Sequence, residues 1–183
     1  MYKAIKILLF TNSFVLFAGF MLGPIYAIFV EDIGGDLLDA GLTTGIFDVA
    51  AGITTLVAGR FTDRMKESEL MVVAGYIIMG GGFLLYMLVD SIWMLFVVQA
   101  IIGFAEAFYS PAFNAIYSKH LSRERAATQW GMWESNNYFT AAIGAAAGGI
   151  LATVFSFNVL FIVMAALCFF SAVFIWRLPR EVL

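Results

Sequence analysis

An all-α membrane protein of six transmembrane helices is what this sequence predicts, and three observations predict it. Hydrophobic residues make up 62% of the 183-residue chain and charged residues 13%, with a mean hydropathy of +0.93. That leaves too little polar surface to cover a water-soluble domain of this size. Apolar stretches of the roughly 20 residues needed to cross a hydrocarbon core of about 30 Å recur six times. All ten Lys and Arg residues then fall into the breaks on one side of those spans, as expected where basic loops resist translocation.

The spans are predicted at Ile5–Val30, Ala40–Ala58, Leu70–Val89, Ile92–Tyr117, Thr128–Val154 and Phe157–Trp176, with polar cytoplasmic loops at 59–69 and 118–127. Lys3 precedes helix 1 and Lys6 stands at its start; Arg60, Arg64 and Lys66 join helices 2 and 3. Lys119, Arg123 and Arg125 join helices 4 and 5, and Arg177 and Arg180 follow helix 6. The opposite loops hold Glu31, Asp32, Asp36, Asp39 and Asp90 and no basic residue. The expectation is a multi-pass protein of the cell membrane with both termini cytoplasmic, and the net charge of −3 reflects topology rather than a nucleic-acid partner. The first apolar stretch is too long for the core of a signal peptide and is kept as helix 1. Cys168, alone in helix 6, reads as packing, and His120 as a solvated loop residue. No P-loop, nucleophile elbow or metal-ligand cluster is present, so neither an enzyme nor a bound metal is expected.

A 3+3 repeat is legible within the six helices. Asn12 matches Gln99 and Pro24 matches Pro111 at a shift of 87 residues, and Asp48 matches Glu134 at 86. Inverted triplets of this kind are common in transporters. Polar residues are unevenly shared: helices 3 and 6 carry no ionisable core residue, whereas helices 2, 4 and 5 each carry one carboxylate. At 100° per residue, Gln99, Gly103, Glu106, Ser110 and Tyr117 line one stripe of helix 4, with Asn114 at its edge. Thr44, Asp48, Thr55 and Gly59 share a face of helix 2; Trp130, Glu134, Asn137, Ala141, Gly144 and Gly148 share one of helix 5; Asn12, Gly19, Gly23 and Tyr26 share one of helix 1. An ionised side chain at mid-membrane costs about 2.5 to 3.5 kcal/mol on insertion scales. The three carboxylates therefore face protein or water, or are held neutral. Counted from the helix ends, Asp48 lies toward the outside, Glu106 near the middle and Glu134 toward the cytoplasm, a staggered acidic path. Each carboxylate has two readings, a substrate or proton group and an interhelical hydrogen bond. Trp133 likewise reads as a cavity wall or a packing residue, and Trp93, Trp130 and Trp176 as interfacial belt residues.

The loop Gly59-Arg-Phe-Thr-Asp63-Arg64-Met-Lys66 resembles the signature between helices 2 and 3 of the major facilitator superfamily, with Lys66 at a usual Gly position and Glu67 and Glu69 where basic residues are typical. A small residue at Gly59 would let another helix approach, and Asp63 would cap a helix N-terminus or pair with a cation. In helix 4, Leu95, Phe96, Gly103, Ala107 and Pro111 are similar to the family pattern, with Gln99 in place of its Arg and Glu106 as the proton carrier in its stead. Gly144-Ala-Ala-Ala-Gly148-Gly149 in helix 5 resembles the family's antiporter motif, with Ala145 in place of Pro, and reads equally as a GxxxG packing contact.

The resemblance covers essentially the whole chain and ends where members of the family continue into six further helices. It implies one half-bundle of a secondary transporter working by alternating access, with a small-molecule substrate, the lipid bilayer and no cofactor beyond a coupling proton. Substrate is expected between Asp48, Glu106, Glu134, Gln99, Asn137, Asn12, Asn114, Tyr26 and Trp133, an acidic and aromatic lining suited to proton-coupled export of lipophilic cations. The polar faces are expected to be closed by a second copy in a parallel homodimer, helix 2 against helix 5 of the partner. The alternative is a non-transporting scaffold or subunit that pairs with a different half-bundle.

Overall fold

The computed structural model describes residues 2–65 and 67–178. Lys66 and Arg180 lie outside the described residues. Among those described there is no strand, and six helices are long and apolar enough to cross a membrane: α1 (Ala4–Asp32), α2 (Leu37–Thr62), α3 (Ser68–Leu88), α4 (Ile92–Lys119), α5 (Arg123–Val154) and α6 (Phe157–Trp176). An even number of spans returns the chain to the side on which it began.

Local chemistry sets the ends. Asp36 and Asp39 form a reciprocal capping box at the start of α2, each carboxylate accepting the other's backbone N–H. This moves the helix start ahead of the predicted Ala40. At its far end α2 continues through Thr62, so Gly59 to Thr62 are helical rather than loop. Ser118, Lys119, Ala126 and Ala127 are likewise helical, and the loop 118–127 shortens accordingly. Ser156 caps α6 by accepting from Val159 N–H. The two repeat-related prolines act differently. Pro24 interrupts α1, which passes from Tyr2–Leu22 through a 3-10 turn at Gly23–Ile25 to Tyr26–Asp32. Pro111 is carried inside an unbroken α4. Proline removes one helical hydrogen bond at either site, and Gly23 beside Pro24 adds its own low helix propensity.

The packing order is α2–α4–α3–α6–α1–α5. Exchanging α1 with α4, α2 with α5 and α3 with α6 leaves that order of neighbours unchanged, which is the inverted repeat in three dimensions. The α3–α6 contact lies on the pseudo-twofold axis. Helices α1, α3, α4 and α6 supply most of the enclosed core, including Leu8, Tyr76, Leu95, Tyr117, Leu160 and Met164. Helices α2 and α5 hang on its two flanks and are the least buried of the six.

Each flank is seated on a glycine. A Cβ at Gly103 of α4 would run into the Phe47 carbonyl oxygen of α2, and one at Gly148 of α5 into the Met21 carbonyl of α1. Gly144, one turn earlier, packs on Phe17 and Phe20. Gly148 therefore serves a seam inside the bundle rather than a contact with a second copy. Gly149 and Gly59 behave otherwise: a Cβ at either meets nothing within 4 Å, so among the described residues no other helix packs on them. Asp63 is exposed and occupies the C-cap position of α2, so it caps no helix N-terminus in this chain.

Candidate functional site

Two amides related by the repeat anchor the crossing helices, and both are held by tyrosines of α3. Asn12 of α1 is 3% exposed and accepts through Oδ1 from the Tyr76 hydroxyl at 3.0 Å. Gln99 of α4 is 7% exposed and accepts through Oε1 from the Tyr86 hydroxyl at 3.2 Å. Gln99 Nε2 also donates to the Tyr26 hydroxyl at 2.6 Å, which donates to Thr43 Oγ1 at 2.7 Å, which bonds the Asp39 carbonyl at 2.8 Å. This chain of bonds joins α3, α4, α1 and α2. Burial of so many polar groups is tolerated because each has a partner.

Beside the Gln99 network lies an open cavity of about 380 Å³. Its walls come from α1 (Leu16, Gly19, Phe20), α2 (Thr44, Phe47), α3 (Met79, Phe83), α4 (Ile102, Glu106, Tyr109) and Met164 of α6, with Tyr26, Tyr86 and Gln99 among the polar lining. Glu106 is the one ionisable carboxylate among those residues. It is exposed to the opening and lies near enough to Asp48 of α2 for the two charges to interact. Gly103 brings the helices together one turn before Glu106, which puts Asp48, next to Phe47, on the same side of the crossing.

Of the predicted site residues, Tyr26, Gln99 and Glu106 line this cavity, and Asp48 of α2 is not among its lining but acts electrostatically on Glu106. Phe47, which precedes Asp48, crosses α4 at Gly103, one turn before Glu106. Glu134 is exposed on α5, on the far flank, and is not among the lining residues. Asn12 is enclosed against Tyr76 and Asn114 is exposed away from the lining. Trp133 and Asn137 also lie outside it, on α5. There Trp133 Nε1, Asn136 Nδ2 and Asn137 Oδ1 are buried without hydrogen-bond partners, although Asn136 Oδ1 accepts from Ser13 of α1 at 2.8 Å. Tyr86, Tyr109, Phe20 and Phe47 were not singled out in the sequence. Tyr109 carried one usable signal, its position three residues after Glu106 on the same helical face. Among the described residues no group of three or more metal-ligating side chains comes together.

The model of the Major Facilitator Superfamily matches residues 8–182. The chain belongs to this superfamily. Its members are transporters rather than enzymes, and six apolar helices make this chain a multi-pass membrane protein. It is similar to an uncharacterized MFS-type transporter of Mycobacterium tuberculosis, at 28% identity over 87% of this chain and 38% of the relative. A second MFS-type transporter, from Methanocaldococcus jannaschii, is 26% identical over 82% of this chain and 39% of its own length. The multidrug resistance protein MdtH of Yersinia pestis is 28% identical over 61% of this chain and 28% of its own length. The chain thus spans about two fifths of the first two relatives. In the superfamily two such bundles enclose a midplane site between them.

Proposed function

We propose that this bundle is the substrate-binding half of a secondary transporter that exports lipophilic cations against a proton gradient by alternating access. The observation that carries the reading is the cavity itself, in which a single lining carboxylate, Glu106, is set among Phe20, Phe47, Phe83 and three tyrosines. A carboxylate attracts a cation, and each desolvated aromatic face adds about 0.5 to 2 kcal/mol. The likeness to a multidrug resistance protein agrees with such a substrate class. Proton coupling is assigned to Glu106: a proton on its carboxyl group and a cation bound to its carboxylate are alternatives. The basic residues between spans support a cell-membrane protein with both ends cytoplasmic.

A second six-helix bundle completes the site, supplied by a second copy in a parallel homodimer. The exposed apolar residues Val49, Ile53 and Leu56 of α2 and Tyr138, Phe139 and Ile143 of α5 support this, since they share their helices with Asp48 and Glu134, which lipid would not accept. Reconstitution in liposomes tests the transport reading: a pH gradient should drive uptake of a fluorescent lipophilic cation, and Glu106→Gln should abolish it. Flux unchanged in that variant overturns the coupling assignment. Cross-linking tests the assembly. Cys168 is buried, so Ile53→Cys with Ile143→Cys in one chain should yield dimers in membranes under mild oxidation. A chain that stays monomeric in membranes while transporting overturns the dimer.

A further inference from the structure

Among the cavity walls Tyr109 stands apart. Its side chain is 6% exposed and its hydroxyl bonds to none of the described residues, whereas those of Tyr26, Tyr76, Tyr86 and Tyr117 each have a partner. The ring is buried but the hydroxyl stays accessible at the cavity wall, and an accessible phenol oxygen that no protein group engages is open to a ligand atom. The ring cannot swing away to find a protein partner. Tyr76 holds it edge-on at a centroid distance of 4.8 Å, and it lies over Gly75, where a Cβ would come within 2.5 Å of Tyr109 Cβ. Tyr109 follows Glu106 by three residues, about 4.5 Å along α4 on the same face. The two interact electrostatically.

The polar lining of the cavity is therefore of two kinds, about two helical turns apart along α4. Around Gln99, every hydroxyl and amide oxygen is already engaged with protein. Around Glu106 and Tyr109, a carboxylate and a phenol oxygen face the same space without protein partners, beside Phe47 and Ile102. We propose that Glu106 and Tyr109 form a head-group subsite for a protonated primary or secondary amine, with Tyr109 selecting N–H-bearing cations over quaternary ones. One ammonium N–H donates to the Glu106 carboxylate and a second to the Tyr109 oxygen, while the ligand's aromatic body lies between the phenylalanines. A trimethylammonium keeps the attraction to Glu106 but has no N–H for Tyr109, and its methyl groups hold the nitrogen away from that oxygen. This rests on reading the cavity as a cation site and adds the class of cation it prefers.

The test is calorimetric binding of a matched pair, 4-(1-naphthyl)butylammonium and its N,N,N-trimethyl derivative, to the purified full chain in mild detergent. Wild type should prefer the primary ammonium by about tenfold or more, the worth of one charge-assisted hydrogen bond. Tyr109→Phe keeps the ring packing on Tyr76 and Gly75, and should bring the primary ammonium down to the affinity of the quaternary one while leaving the latter unchanged. Glu106→Gln should weaken both. Equal affinity of the two probes in wild type, or a preference that survives Tyr109→Phe, overturns the subsite while leaving the cation site standing. Equal weakening of both probes by Tyr109→Phe also overturns it, since the residue is then merely structural. If neither cation binds but 4-(1-naphthyl)butanol does, the cation reading fails and the subsite falls with it.

Discussion

The two flanks of the bundle, α2 on α4 and α5 on α1, are related by the internal repeat yet carry different chemistry. Both are seated on a glycine against a backbone carbonyl, Gly103 on Phe47 and Gly148 on Met21. On the α2–α4 flank that crossing brings Asp48 to Glu106 at the mouth of the cavity. On the α1–α5 flank the repeat partner of Glu106 is Gly19, where a side chain would meet nothing within 4 Å, and Glu134 is left without a carboxylate across from it. On α5 of that flank Asn136 bonds Ser13 of α1, and Trp133 Nε1, Asn136 Nδ2 and Asn137 Oδ1 are buried without a partner among the described residues. Symmetry thus sets the scaffold, and single-residue departures from it set the chemistry.

The largest expected effects come from breaking the seats. Gly148→Leu and Gly103→Leu each force a side chain into a backbone carbonyl, and overpacking of that kind costs about 1 to 3 kcal/mol or more. Both should lower the detergent melting temperature sharply, Gly148→Leu the more, since its carbonyl lies closer. Transport should separate the flanks next. Proton-driven flux should fall at least about tenfold in Glu106→Gln, as expected for loss of a group used in coupling, and stay near wild type in Glu134→Gln; equal losses would erase the distinction drawn here. Asn12→Ala and Gln99→Ala each strand a buried tyrosine hydroxyl, a cost of about 1 to 3 kcal/mol measurable by thermal unfolding. Gln99→Ala also removes the donor to the cavity-lining Tyr26 hydroxyl and should change cation affinity, whereas Asn12→Ala should not. The smallest effect belongs to Gly59→Ala, where the open surroundings predict a helix gain of about 0.5 to 1 kcal/mol in the isolated bundle. Weaker cross-linking of the dimer in the same variant would place a second bundle against that glycine.

Much of the fold was legible in the chain. Six spans and the 3+3 repeat follow from Leu-, Phe- and Ile-rich stretches and from Asn12, Gln99, Pro24 and Pro111 in matching order. Helix ends moved by a few residues where capping intervened, as at Asp36 and Asp39. The site was legible in part: Glu106, Gln99 and Tyr26 were named from periodicity and line the cavity, whereas Tyr109 passed for one more aromatic on an apolar helix. Asp48 and Glu134 looked equivalent because they occupy matching places in the repeat, and nothing along α5 indicated that its carboxylate would lack the neighbour that Asp48 has.

What the sequence by itself determined is therefore which segments are long enough and apolar enough to cross a bilayer. That property is a sum of local terms, the transfer free energies of some twenty side chains. Which carboxylates meet, which tyrosine is left with an empty hydroxyl and which glycines take a neighbouring backbone were decided by the tertiary structure alone. They depend on the depth and azimuth at which helices distant in the chain cross, and small residues such as Gly103 and Gly148 set that geometry through contacts that no single helix contains.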